Sequence, residues 1–237
     1  MKESIFDKIS SEWWDKNGPM KMLHSMNETR MLFIKERIIN KYQKEGSFKK
    51  ILEKKVVLDL GCGGGILSET LAEEGANILA IDQSKKLINE AKKRAKAKKL
   101  KINYQCQSID NLKLKSVKFD IILCMEVIEH VQDYRNFIKK AFECLKKNGI
   151  IIFSTINKSR LSYFTTIFLA EKVLRLVPSK THDWDMYVKP EEILEVAKIF
   201  NFKLDKIKGL AAIPFLQGFK WIRINNTKAN YIISIVN

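Results

Sequence analysis

The sequence predicts an α/β fold built on a doubly wound, mostly parallel sheet that is covered by helices. Three observations predict this class. Short apolar runs rich in β-branched residues alternate with stretches of helical periodicity between residues 56 and 154. One of these runs leads directly into a glycine-rich loop and a helix. A later run, Phe119–Met125, is almost wholly apolar, which is typical of a strand buried on both faces.

The pattern predicts seven strands, of which the last two form a closing antiparallel pair. The predicted strands are Val56–Leu60, Asn77–Ile81, Asn103–Gln107, Phe119–Met125, Ile150–Ser154, Phe202–Leu210 and Ala229–Val236. The predicted helices of this domain are Ile66–Glu74, Ser84–Lys99, Asp133–Lys147 and Pro190–Phe200. Ser84 occupies an N-cap position, and Asn148-Gly149 is expected to end the third of these helices.

Two segments lie outside this scheme. We expect residues 1–50 to form an N-terminal helical extension that packs on the main domain, residues 51–237. Residues 159–184 form an insertion after the fifth strand. Insertions of this length in compact domains usually carry function.

The chain is strongly basic, with 43 Lys and Arg against 27 Asp and Glu and a formal charge of +16. This charge first suggests nucleic acid. However, only 7 of the basic residues are Arg, and the lysines are spread through nearly every segment. Even the densest cluster, Lys92–Lys101, lies on a predicted helix and also fits a solvated face. We therefore expect an anionic surface as partner and no nucleic acid.

The glycine loop Gly61–Gly65 indicates a nucleotide-type cofactor, because its glycines let the backbone bend sharply against a ligand. Asp82 ends the next strand, where a carboxylate can accept both ribose hydroxyls. Ile66 stands where a dinucleotide fingerprint has its third glycine, and Asp59 suits a cofactor with positive charges. The motif therefore resembles the first motif of class I S-adenosylmethionine-dependent methyltransferases, with an NAD site or a plain turn as alternatives.

Glu126, Glu129 and His130 follow the fourth strand and are the candidate catalytic residues. If this segment is helical, their i, i+3, i+4 spacing places them on one face. Such a face can hold Mg²⁺ or supply a general base. Alternatively, the two glutamates favour a helix N-terminus and the histidine makes a hydrogen bond in the core.

Several longer motifs resemble the ubiquinone biosynthesis O-methyltransferase family. They are Trp13-Trp14-Asp15, Leu23-His24 with Asn27 and Arg30, Val57–Leu67, Cys124-Met125-Glu126 with Glu129-His130, Phe153–Asn157, and Val177-Pro178 with Thr181-His182-Asp183. The resemblance covers roughly Ser11–Pro190. It implies a Rossmann-like class I fold and S-adenosylmethionine as cofactor. It also implies O-methylation of the catechol-type hydroxyls of 2-polyprenyl-6-hydroxyphenol and 3-demethylubiquinol.

The resemblance also assigns individual residues. Those matching the family's cofactor-binding positions are Arg30, Gly61, Asp82 and Met125. Those matching positions that bind Mg²⁺ in some members are Glu126, Glu129 and His130. Where many class I enzymes carry an acid after the third strand, this chain has Ser108, with Asp110 two positions on. Another small-molecule methyltransferase, an RNA methyltransferase and a basic nucleic-acid-binding module remain as alternative functions.

The insertion contains an amphipathic stretch, Arg160–Val177, whose apolar residues recur at helical spacing. Those residues are Leu161, Phe164, Ile167, Phe168 and Leu174, flanked by Lys158, Arg160, Lys172, Arg175 and Lys180. We expect the segment to lie in an anionic membrane surface, with a helix packed on the sheet as the alternative. The enzyme is therefore expected to be cytoplasmic and peripheral to the inner face of the membrane, where the resemblance implies other ubiquinone-synthesis enzymes as partners.

Trp13 and Trp14 are expected either to close the site from above or to pack the N-terminal segment on the domain.

Overall fold

The structure, a computed structural model, describes residues 5–112, 118–166, 183–215 and 218–237. Its strands form one sheet in the order β3-β2-β1-β4-β5-β8-β6-β7. They are β1 Val56–Leu60, β2 Asn77–Asp82, β3 Asn103–Cys106, β4 Phe119–Met125, β5 Leu145–Ile156, β6 Lys203–Phe215, β7 Gly218–Ile224 and β8 Asn230–Val236. The α-helices are α1 Ile5–Lys8, α2 Lys21–Lys41, α3 Phe48–Lys54, α4 Ile66–Glu73, α5 Lys85–Ala97, α6 Tyr134–Cys144, α7 Arg160–Ser162 and α8 Pro190–Ile199.

The predicted fold class is confirmed. Strands β1 to β5 pair in parallel, and β8 pairs antiparallel with both β5 and β6. The side chain of Ser84 caps α5 by accepting a hydrogen bond of 3.1 Å from the amide of Leu87. The local signals in this half of the chain therefore predict the observed elements.

The sheet has eight strands rather than the predicted seven. The additional strand β7 pairs only with β6, which runs five residues beyond its predicted end at Leu210. An edge strand of this kind exposes charged residues such as Lys220 and Arg223, so its sequence lacks a buried apolar run.

Helix α6 ends at Cys144, before the predicted stop at Asn148-Gly149. The following strand begins at Leu145 and contains an irregularity in its pairing with β4 between Phe119 and Ile121. Residues 146–149 therefore bulge out of the strand and do not extend the helix.

Helix α2 packs against the edge strand β7. The hydroxyl of Thr29 donates to the carbonyl of Trp221 (2.8 Å), and the Trp221 indole N–H donates to the hydroxyl of Ser25 (3.1 Å). Buried Phe33 and Ile38 of this helix share a core with sheet residues. The division into an extension, residues 1–50, and a main domain stays a prediction.

None of the helices within the described ranges is both long and apolar enough to cross a bilayer. Residues 167–182 lie outside the described residues, and with them most of the predicted amphipathic stretch Arg160–Val177 and the family-like positions Val177-Pro178 and Thr181-His182.

Candidate active site

The glycine loop between β1 and α4 is bent in a way that only glycine adopts easily. Gly61 and Gly65 have φ values of 75° and 90°. A Cβ atom at Gly61 would overlap the side chain of Val127, and one at Gly65 would overlap the hydroxyl of Tyr104. The amide of Gly61 donates to the carbonyl of Ile81 (2.8 Å), which ties the loop to β2. The start of the loop, Gly61, Cys62 and Gly63, lines a cavity, where backbone without side chains can approach a ligand closely.

Asp82, at the end of β2, is hydrogen-bonded to the backbone of the same loop. One carboxylate oxygen accepts from the amide of Gly63 (2.9 Å) and the other from the amide of Ser84 (2.8 Å). Burial raises the pKa of Asp82, although these amide bonds oppose the shift. Each oxygen has a further lone pair, so the predicted role as acceptor for ribose hydroxyls fits this geometry.

Asp59 lies beneath the loop and is only 2% exposed. Its carboxylate accepts a hydrogen bond of 2.5 Å from the hydroxyl of Ser68. Burial, helped by the negative charge of Asp82, raises the pKa of Asp59 to about 7. A cationic ligand near this carboxylate would stabilise its charged form.

Two tryptophans cover the loop. The indole of Trp13 lies directly over Gly63 and Gly64, where a Cβ atom at Gly63 would come within 2.6 Å of it. The indole N–H of Trp14 donates to the carbonyl of Gly64 (3.0 Å), and the Arg94 guanidinium stacks 3.7 Å from the Trp14 ring centroid. The packing expected of these residues is thus observed, and Trp13 also lines the cavity; that they close the site stays a prediction.

At the end of β4, Glu126 forms a buried ion pair with Arg30 of α2. An Nη atom of Arg30 lies 2.9 Å from the Glu126 carboxylate, and the two side chains are 3% and 18% exposed. The hydroxyl of Ser154 donates to the same carboxylate oxygen (2.7 Å), and the amide of Glu126 donates to the Ser154 carbonyl (2.8 Å). Arg30, predicted to contact the cofactor, and Glu126, predicted to be catalytic, are thus paired with each other.

Glu129 and His130 lie on the next turn but in different surroundings. The Glu129 carboxylate is buried and accepts a hydrogen bond of 2.7 Å from the hydroxyl of Thr155. Burial and the neighbouring charge of Glu126 raise the pKa of Glu129. His130 is exposed at the rim, with its ring edge-on to Phe6 at 5.3 Å.

The predicted helical face bearing Glu126, Glu129 and His130 is not formed. Glu126 has a φ of 55°, and the residues after it form a short 3-10 helix, Ile128–His130. Among the residues that the structure describes, no group of three or more His, Cys, Asp or Glu side chains is arranged to hold a metal ion. The Mg²⁺ set therefore stays a prediction; in the present arrangement the Arg30 guanidinium lies against Glu126, and the exposed His130 ring lies against Phe6.

One cavity of about 750 Å³ joins all these groups. Every site residue predicted from sequence lines it: Arg30, Gly61, Asp82, Met125, Glu126, Glu129 and His130. Unpredicted lining residues include Met22 and Met26 of α2, Ser108 and Ile109 after β3, and Trp221 and Asn230 of the last two strands. Asp110, two positions after Ser108, pairs with Lys140 at the surface.

A Rossmann-like sheet, a glycine loop over a buried acid and a ribose-type acid together define a class I S-adenosylmethionine-dependent methyltransferase. The methyltransferase domain model matches residues 58–153. The ubiquinone biosynthesis O-methyltransferase of Pelagibacter ubique is 45% identical over 98% of this chain and 95% of its own length. Those of Coxiella burnetii and Rickettsia prowazekii are 38% and 37% identical over 96% and 97% of this chain, and over 91% and 87% of their own. The chain belongs to the ubiquinone biosynthesis O-methyltransferase family.

Solved structures agree on the fold. Magnesium protoporphyrin IX methyltransferase from Synechocystis, with bound S-adenosylhomocysteine, is 18% identical with a TM-score of 0.65, covering 98% of this chain and 93% of that one. A methyltransferase from Clostridium acetobutylicum is 18% identical with a TM-score of 0.63, covering 98% and 99%. The chain is thus an S-adenosylmethionine-dependent O-methyltransferase, and the NAD alternative is excluded.

Replacing Asp82 by Asn should weaken cofactor binding without unfolding the protein. A charge-assisted hydrogen bond contributes about 1.5–3 kcal/mol, so we expect the Kd for S-adenosylhomocysteine to rise roughly 10- to 100-fold in calorimetry. Asp120→Asn, at the opposite end of the sheet, is the matched control and should bind normally. An unchanged Kd in a folded Asp82→Asn variant would remove Asp82 from the site.

Cofactor affinity should also depend on pH through Asp59. Its pKa of about 7 leaves it largely neutral below that pH, whereas the cationic cofactor favours the carboxylate. Binding of S-adenosylmethionine should therefore tighten between about pH 6 and about pH 7.5 and release a proton. Calorimetry in two buffers of different ionisation enthalpy measures that proton. Asp59→Asn should abolish the release, and an equal release from this variant would contradict the assignment.

Proposed function

We propose that this enzyme methylates the catechol-type hydroxyls of polyprenylated intermediates, namely 2-polyprenyl-6-hydroxyphenol and 3-demethylubiquinol. One observation carries the proposal: the cavity that the cofactor loop lines is also lined by Glu126 and Glu129 and by apolar side chains such as Met26, Ile156 and Trp221. Two neighbouring carboxyl groups suit a pair of adjacent hydroxyls. The names of the relatives support the same substrates.

Methyl transfer is an in-line displacement. The acceptor oxygen bonds to the methyl carbon while the carbon–sulfur bond breaks, and the sulfur keeps the electron pair as a neutral thioether. The hydroxyl proton must leave, because a neutral phenol is a poor nucleophile. The remaining contribution is the alignment of donor and acceptor, which a single cavity lined by the cofactor loop and by Glu126 and Glu129 supports.

His130 is the proposed general base, and Glu126 and Glu129 are the proposed partners of the two hydroxyls. His130 lies at the rim, so its imidazole can pass the proton on to solvent. Glu129 is buried and held by Thr155, and the charge of Glu126 is compensated by Arg30. These two carboxyl groups are therefore better placed to orient an acceptor than to exchange protons with water.

Purified enzyme should convert a short-chain demethylubiquinol to its O-methyl product, detected by mass spectrometry. His130→Asn should lower kcat by about 10²-fold and leave the Kd for S-adenosylhomocysteine unchanged. Raising the pH toward the pKa of the acceptor should restore part of its activity, because the acceptor then ionises unaided. Glu129→Gln, which keeps the shape and the Thr155 contact, serves as the comparison and should lose less than about tenfold.

Two results would count against this proposal. A wild-type enzyme that binds the cofactor but leaves the quinol unmethylated would exclude the substrate class. Wild-type kcat in His130→Asn would exclude only the proton transfer.

We further propose that the enzyme attaches to the inner face of an anionic membrane through its insertion, without spanning it. Leu161, Tyr163 and Phe164 begin the insertion and are 41%, 48% and 52% exposed. Thr166, a few residues further on, lines the cavity, so a prenyl tail leaving the acceptor site would emerge beside these side chains. The excess of lysine favours anionic lipid.

Assembly with other ubiquinone-synthesis enzymes and the absence of nucleic-acid binding stay predictions.

Co-sedimentation with liposomes tests the attachment. Binding should require anionic lipid and weaken with added salt, because the attraction is screened within about 10 Å at 0.1 M. Phe164→Ser should reduce binding, whereas Ile199→Ser, at an even more exposed apolar residue on α8, should not. Negligible pelleting with anionic lipid at low salt, or equal losses in both variants, would contradict the role of the insertion.

A further inference from the structure

We propose that Trp221 forms the wall against which the aromatic ring of the acceptor lies, and thereby determines acceptor specificity. This inference rests on the proposed function and names a residue that β7 brings to the site. Trp221 is 8% exposed and lines the same cavity as Glu126 and Glu129.

The order of the strands places Trp221 on the acceptor side. The cofactor loop and Asp82 follow β1 and β2, whereas Glu126 follows β4. Beyond β4 the sheet continues through β5, β8 and β6 to β7. Cavity-lining residues from this far half are Ile156, Asn230 and Trp221. The methyl donor thus lies on one side of Glu126, and the space bounded by these residues lies on the other.

Helix α2 fixes the orientation of the indole. The ring N–H donates to the hydroxyl of Ser25 (3.1 Å), which itself donates to the carbonyl of Met22 (2.9 Å). The Trp221 carbonyl accepts from the hydroxyl of Thr29 (2.8 Å). Both the side chain and the backbone of Trp221 are therefore held by the helix that carries Arg30.

These bonds determine what the indole can offer a ligand. Because its only N–H is satisfied by Ser25, the ring presents apolar atoms and a π face to the cavity. Met22 and Met26 line the same region with flexible side chains that adapt to a planar group. The wall therefore fits an aromatic diol and disfavours an acceptor that is charged or highly polar at this position.

Two substitutions test the proposal through steady-state kinetics with a short-chain demethylubiquinol. Trp221→Leu should raise the KM for the acceptor about tenfold, since ring contacts of this kind contribute up to about 1.5 kcal/mol. Ser25→Ala removes the hydroxyl that accepts from the indole N–H, and should raise the KM for the acceptor about threefold. In both, kcat should change less than about twofold and the Kd for S-adenosylhomocysteine should stay unchanged. Ser47→Ala, at the exposed start of α3, is the matched control.

A tail-less catechol should show the same ratios of KM, because the ring and not the prenyl chain contacts Trp221. If Trp221→Leu fails to fold, Ser25→Ala decides. Unchanged acceptor KM in the folded variants, with normal wild-type turnover, would overturn this inference alone. A wild-type enzyme that leaves every catechol unmethylated would instead overturn the proposed function and the inference with it.

Discussion

The buried ion pair between Arg30 and Glu126 is the interaction on which the site depends. It joins the N-terminal helix α2 to the carboxyl end of the central strand β4, next to the cofactor loop. Removing one partner of a buried pair typically costs about 3–5 kcal/mol, because the other charge is left uncompensated. Glu126 itself has a left-handed backbone conformation, with φ of 55°, and Glu129, three residues further on, is buried.

The two halves of the cavity are built by different means. The cofactor side is formed mainly by backbone groups. Several of its glycines have positive φ, the amide of Gly63 donates to Asp82, and the carbonyl of Gly64 accepts from the indole of Trp14. Backbone groups can approach a constant ligand closely and in a fixed geometry. The acceptor side uses side chains from α2, β4, β7 and β8. Such a division suits an enzyme whose methyl donor is common to a large class while its acceptor is particular to one family.

The features that sequence predicted well are those encoded within a few neighbouring residues. The glycine loop, the N-cap at Ser84 and the buried strand Phe119–Met125 all appear as expected. The helix considered as one possibility after Met125 does not form, because the chain enters a left-handed turn at Glu126, a conformation that glutamate rarely adopts.

Local sequence patterns could not predict the contacts between segments that are distant in the chain. Arg30 and Glu126 were singled out for separate roles, and only the fold shows that they form an ion pair. Trp221 was missed because the edge strand that carries it lacks a buried run. Met22 and Met26, at i, i+4 on α2, were the one signal that could have indicated a second apolar wall.

Helix α2 therefore contributes to both halves of the cavity. The same helix supplies Arg30 next to the cofactor side and, through Ser25 and Thr29, holds Trp221 on the acceptor side. A shift of α2 along the sheet would move the charge partner of Glu126 and the aromatic wall together. In-line displacement requires donor and acceptor to be aligned to well below 1 Å. A single rigid helix that positions both Arg30 and Trp221 keeps their relative placement fixed, which two independent elements would not do.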